Sequence, residues 1–153
     1  EDLNKLVLPH KVDFAVAMCD VINYLDNIKD FFSKVKSYLK KNGIFIFDIS
    51  SENKLTAMNG NIYFYDDDDI SYFWKNELKE KKLIMDITFF EKTDEQFYRR
   101  FDEQHILNIY NDLYITNILT ETGFRIEEKR IIHDGDKIDV ISERVLYKCV
   151  LAE

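Results

Sequence analysis

Val12-Asp-Phe-Ala-Val-Ala-Met-Cys-Asp20, then Ile28-Lys-Asp-Phe-Phe-Ser-Lys-Val-Lys-Ser-Tyr-Leu39, then Gly43-Ile-Phe-Ile-Phe-Asp48 is the stretch that decides the fold. Residues 12–19 are a nearly unbroken apolar run with β-branched members, the pattern of a strand buried on both faces. In the middle segment, apolar residues at 28, 31, 32, 35, 38 and 39 follow the i, i+3, i+4, i+7 spacing of a helix. Asp26 or Asn27 can cap its start. Lys40 and Lys41 are expected to complement the dipole at its end, with Gly43 in the left-handed position beyond it. Ile44–Ile49 then reads as a second buried strand. Strand, helix, glycine and strand make a parallel βαβ unit with a right-handed crossover. The arrangement is that of the middle of a nucleotide-binding α/β domain, in which a glycine-rich turn follows the first strand. Only ten residues precede Lys11 and none is glycine. The expectation is the second half of such a domain.

Downstream the pattern changes. Tyr72–Leu78, Leu83–Lys92 and Phe97–Leu107 are strand-like, separated by the polar segments Lys79–Lys82 and Thr93–Glu95. They predict an antiparallel meander over residues 61–109, inserted between two parts of a core formed by 1–60 and 110–153. Asn111–Thr122 predicts a helix with Ile115, Ile118 and Leu119 inward and Gly123 as its stop. Phe124–Ile132 and Arg144–Leu151 are the last two strands, with a polar turn at Asp134-Gly-Asp136.

The 153 residues are enough for a buried core, and 46% of them are apolar. The net charge of −8 argues against nucleic acid or an anionic membrane as the main partner. Cys19 and Cys149 lie in apolar runs and read as buried reduced thiols. Without a charged-then-apolar leader or an 18-residue apolar run, the expected address is the cytoplasm. His10 and His133 lack metal-ligand spacing, and the adjacent carboxylates of Asp66–Asp69 diverge, so no metal site is expected. Signatures of nucleophile-elbow hydrolases, dithiol redox proteins and phosphate-binding loops are missing.

Val12-Asp-Phe-Ala-Val, Asp20-Val-Ile-Asn-Tyr-Leu25, Tyr38-Leu-Lys-Lys-Asn-Gly-Ile-Phe-Ile-Phe-Asp48, Arg99-Arg-Phe-Asp-Glu-Gln-His105, Tyr110 and Leu119-Thr-Glu-Thr-Gly-Phe124 together resemble the class I S-adenosylmethionine-dependent methyltransferases. The resemblance is greatest to small bacterial enzymes with a β-meander inserted after the fifth strand. It implies an α/β, partial Rossmann-like sheet in strand order 4-5-7-6, with the last strand antiparallel. Phe14–Met18 would be strand four, Ile44–Asp48 strand five, Phe124–Ile132 strand six and Arg144–Leu151 strand seven. Strands one to three and the glycine-rich motif have no counterpart, so the chain looks like the C-terminal portion of a relative, truncated near the end of strand three.

The resemblance also implies S-adenosyl-L-methionine as cofactor. Asp2 and Leu3 would contact its adenine, although a solvated terminus explains them as well. Met18, Cys19 and Asp20 would line its methionine half, at the strand end where open α/β sheets bind ligands. Asp20 could instead only cap the helix that follows. Asn23 and Tyr24 would wall the pocket near the transferred methyl, or simply pack in the core. In the meander, expected to roof the substrate cleft, Tyr72, Trp74, Arg100 and Glu103 are candidate acceptor contacts and His105 a candidate proton acceptor. In a strand, Arg99, Phe101, Glu103 and His105 share a face while Arg100 and Asp102 take the other. A cross-strand ion pair explains several of these residues without chemistry.

The expected function is methyl transfer from S-adenosylmethionine to a small or medium acceptor, with this portion alone inactive. Such an in-line displacement needs positioning and desolvation more than acid–base groups. The alternative is a non-catalytic interaction module, in which the edge of strand four, exposed without its neighbour, forms a homodimer. A nicotinamide-dependent oxidoreductase shares the βαβ logic, but the antiparallel final hairpin argues against it.

Overall fold

The computed structural model describes residues 7–93, 97–133 and 143–152. In chain order the elements are β1 (Val12–Ala17), a 3-10 turn (Val21–Tyr24), α1 (Ile28–Tyr38), β2 (Leu39–Ser50), α2 (Glu52–Ala57), β3 (Ile62–Asp66), β4 (Ile70–Lys79), β5 (Lys82–Lys92), β6 (Tyr98–Asn108), α3 (Asp112–Thr122), β7 (Phe124–His133) and β8 (Glu143–Leu151). They divide into two compact units, Glu1–Lys54 with Tyr110–Glu153, and Leu55–Ile109.

The first unit is a four-stranded sheet in the order β1-β2-β8-β7. β1 runs parallel to β2, while β8 is antiparallel to both β2 and β7. Alternation along β2 turns Phe45, Phe47 and Ile49 to one face, where their register partners are Cys149, Tyr147 and Val145. Ile28, Phe32 and Val35 of α1 and Ile115, Ile118 and Leu119 of α3 complete that core. Phe47 is its hub: its ring centroid lies 4.9 Å from Phe45 and Tyr147 and 5.2 Å from Phe32. On the opposite face β1 presents Phe14 and Val16, which are 65% and 54% exposed. Among the described residues, β1 pairs only with β2.

Asn27 caps α1 by accepting from the Asp30 backbone N–H. The C-terminal end differs from expectation. Leu39 ends α1 in an extended conformation, and Asn42, not Gly43, takes the left-handed backbone with φ 59°. Gly43 is needed for space: a Cβ there would lie 2.8 Å from the Lys40 carbonyl oxygen. Lys40 and Lys41 fall within β2 instead of completing the helix, and Lys40 pairs with Asp13 at 3.0 Å. Gly123 does hold the left-handed position closing α3, with φ 88°.

The second unit is an antiparallel sheet in the order β3-β4-β5-β6. Leu83, Met85 and Leu107 on one of its faces pack with Leu55 and Met58. Two of its parts differ from the expected meander: β3 is a further strand within 61–109, and Leu55 of α2 and Met58 just after it join the unit from before residue 61.

Candidate functional site

β1 ends at Ala17 on the edge of the parallel pair, and the chain then turns sharply. Cys19 and Asp20 both have left-handed backbones, with φ 64° and 62°. For residues carrying a Cβ this costs about 1–2 kcal/mol each. Such strain persists only where surrounding contacts over-determine it, and it concentrates at functional sites. Here the contacts are specific. The Asp20 N–H donates to Asp48 Oδ1 at 3.1 Å, and Ser50 Oγ donates to Asp20 Oδ1 at 2.9 Å. Arg144 Nη1 donates to Asp48 Oδ2 at 2.9 Å, with Nη2 3.6 Å from Asp20 Oδ2. The Asp48 side chain is fully buried. Among the described residues two carboxylates thus share one guanidinium, a formal excess of one negative charge at the end of β1, beside the solvent-accessible Met18 and Cys19. That charge balance fits a cationic ligand such as a sulfonium or an ammonium group.

The other candidates from the sequence divide. Asp20 makes no side-chain cap bond to the 3-10 turn, because its carboxylate is turned to Ser50 and Arg144. Asn23 is a correction: it is fully buried, and its amide accepts from the Ser50 N–H at 2.9 Å and donates to the Ser50 carbonyl at 3.3 Å. It clamps β2 to the turn and has no surface to offer an acceptor. Tyr24 is 46% exposed on the same segment, and burial followed by the Asp20 charge raises its hydroxyl above the ordinary tyrosine range. Cys19 is exposed, against expectation, while Cys149 is buried. Asp2 and Leu3 lie outside the described residues, as does the expected Asp134-Gly-Asp136 turn.

A cavity of about 210 Å³ opens beside the end of β2, lined by Ser51, Glu52, Tyr110, Asp112, Lys129 and Tyr147 among others. The buried Tyr147 hydroxyl donates to Asp112 Oδ1 at 2.6 Å. Burial alone would raise the Asp112 carboxyl, but hydrogen bonds from Lys129 and Tyr147 outweigh it and hold the group below its usual range. Burial, then the Asp112 contact, raises the Tyr147 hydroxyl.

In the second unit, cross-strand register brings Tyr65, Tyr72, Phe89 and Phe101 into one row. Successive centroids are 5.3, 5.8 and 4.9 Å apart, and the Arg99 guanidinium covers the Phe101 ring at 5.9 Å. Trp74, Glu103 and His105 lie on this face, with His105 Nε2 3.3 Å from Glu103 Oε2. Trp74 donates its indole N–H to the buried Asn76 at 2.7 Å. Arg100 sits on the opposite face, paired with Asp102 at 2.9 Å, so it cannot join Glu103 around one acceptor. Among the described residues no three His, Cys, Asp or Glu side chains converge as a metal site, and no helix is long and apolar enough to cross a membrane.

Asp48, Ser50, Arg144 and the Phe89–Phe101 stack were not anticipated as site residues. The one local signal was Asp48, an acid closing an otherwise apolar strand run.

No protein-family model matches the chain. It is 32% identical over 142 residues to "Putative methyltransferase YqeM" of Bacillus subtilis (strain 168), an alignment of 89% of this chain. The chain spans 57% of the length of that relative. Among solved structures, an S-adenosylmethionine-dependent methyltransferase from Clostridium acetobutylicum ATCC 824 matches all of this chain at 32% identity with a TM-score of 0.87. The match covers 63% of that protein. The glycopeptide N-methyltransferase MtfA, solved with S-adenosyl-L-methionine, shares the fold at a TM-score of 0.60 and 15% identity.

Proposed function

We propose, for a chain that has the class I S-adenosylmethionine-dependent methyltransferase fold, that the protein carrying it transfers a methyl group from S-adenosylmethionine to a small or medium acceptor. The observation that carries this reading is the strained Cys19–Asp20 turn at the end of β1, held by Asp48 and Ser50 with a net negative charge. When bound, S-adenosylmethionine supplies a methyl group on a sulfonium, open to direct displacement by an acceptor lone pair. Met18, Cys19 and Asp20 would hold its methionine end, with Asp20 balancing positive charge there. Tyr24, on the same segment, would wall the pocket and exclude water.

We assign acceptor recognition to the aromatic face of the second unit. Tyr72 and Trp74 offer ring faces, and the paired Glu103 and His105 offer a polar edge. On an acceptor that loses a proton as it gains the methyl, His105 would accept that proton, with Glu103 stabilising the imidazolium. Elsewhere the reaction asks these residues chiefly to orient and desolvate.

Calorimetric titration with S-adenosyl-L-methionine of the complete product of the gene encoding this chain tests the reading. The expected dissociation constant is on the order of micromolar, about −8 kcal/mol. A folded protein giving no binding heat contradicts it.

A further inference from the structure

We propose that Arg144, which lies 124 residues after Asp20 in the chain, is a positioning residue for the cofactor site: by bridging Asp48 and Asp20 it holds the Cys19–Asp20 turn in its binding shape. This rests on the methyltransferase reading above. The turn carries two consecutive left-handed residues that each have a Cβ, so it relaxes unless something external fixes it. The fixing group is the Asp48 carboxylate, which accepts from the Asp20 N–H at 3.1 Å. That carboxylate is fully buried and faces a second one, Asp20. Two carboxylates within reach of the same guanidinium repel unless that cation stands between them.

Arg144 is that cation, and its shape matters as much as its charge. A planar guanidinium presents Nη1 to Asp48 and Nη2 to Asp20 at once, which the single ammonium of a lysine cannot reproduce with the same geometry. β8 supplies it because Arg144 is the register partner of Ser50, the residue that donates its hydroxyl to Asp20. Asn23 then locks the Ser50 backbone from the other side. β1, β2 and β8 therefore meet at one polar knot, and among the described residues Arg144 is its only cation. Loss of Arg144 leaves the buried Asp48 without its counter-ion. The Asp20 N–H then loses a fixed acceptor, and the turn that carries Met18, Cys19 and Asp20 opens.

The test uses the complete gene product with Arg144→Met and Arg144→Lys variants, S-adenosylhomocysteine as probe, and two readouts. Amide hydrogen exchange reports the turn without any ligand, and calorimetry reports affinity. In Arg144→Met the Asp20 amide is expected to exchange at least about 10-fold faster while Ile46, in the middle of β2, keeps its protection. The probe's dissociation constant is expected to rise about 10-fold in the same variant. Arg144→Lys should fall between it and the unsubstituted protein on both readouts, and it decides the matter if Arg144→Met does not fold. Unchanged Asp20 exchange and unchanged affinity in a folded variant overturn the proposal, as does a uniform loss of protection that includes Ile46. Failure of the unsubstituted protein to bind the probe overturns the cofactor reading, and with it the proposal. Binding that survives the substitution overturns the proposal alone.

Discussion

Phe47→Ala is expected to cost the first unit about 4 kcal/mol of folding free energy, the usual toll of removing a fully buried phenyl ring. Phe47 is completely buried at the centre of the core and touches three other rings, from α1, β2 and β8. Its removal deletes the transfer energy of the ring and also the tilted and stacked contacts, each worth about 0.5–1.5 kcal/mol beyond burial. The neighbours cannot collapse into the gap, because Phe45 and Tyr147 are fixed by strand pairing and the Tyr147 hydroxyl is tied to Asp112. Domains are stable by roughly 5–15 kcal/mol, so this loss leaves little margin. Urea denaturation followed by tryptophan-independent far-ultraviolet dichroism measures it. Phe47→Leu, which refills most of the space, is expected to cost less than about 1.5 kcal/mol. Equal losses for the two variants would mean that Phe47 is not packed as described.

Alkaline solution is expected to destabilise the chain from about pH 9 upward, through the buried Cys149 thiol. Burial pushes that thiol up from 9.0 to about 12. In the unfolded chain the thiol releases its proton near pH 9, whereas the folded chain keeps it to about pH 12. Between those values the unfolded state binds fewer protons than the native one, so stability falls as pH rises. The slope approaches about 1.4 kcal/mol per pH unit, and the full window amounts to roughly 4 kcal/mol. Tyr110, raised by burial from 10.0 to about 12, and Tyr147, raised from 10.0 by burial and then by Asp112, add further losses that begin one unit later. Cys149→Ala isolates the thiol: from pH 9 to 10 the unsubstituted chain is expected to lose about 1 kcal/mol more than the variant does. Parallel pH profiles for the two proteins, measured by denaturant midpoint, would contradict the burial of Cys149.

The sequence reading succeeds where periodicity is long and unambiguous. The apolar run from Val12, the 3.6-residue spacing of Ile28–Tyr38 and the run from Ile44 each state a single element, and their order states the βαβ unit. It falls short at elements too brief to show a period. α2 has six residues, and β3 abuts the acidic run that begins at Asp66, so neither announced itself. Gly43 misleads because a glycine after a helix suggests a left-handed cap, whereas here it clears space for the Lys40 carbonyl. Alternation in β6 places Glu103 and His105 together on one face, and cross-strand register then adds Tyr72 and Trp74 to it. The polar knot was the least legible part. Asp20 and Asp48 are 28 residues apart, and Asp48 and Arg144 are 96 apart. Only the placement of β8 beside β2 brings the three together, and no local spacing encodes that neighbour.

The central claim is that the end of β1 receives the cofactor, and the chain contains its own probe of it. Of the three methionines, Met18 borders the Cys19–Asp20 turn, while Met58 and Met85 lie in the core of the second unit. With carbon-13 in the methionine methyl groups of the complete gene product, S-adenosylhomocysteine is expected to shift the Met18 resonance and leave those of Met58 and Met85 in place. A saturating titration in which Met18 does not move would contradict the account.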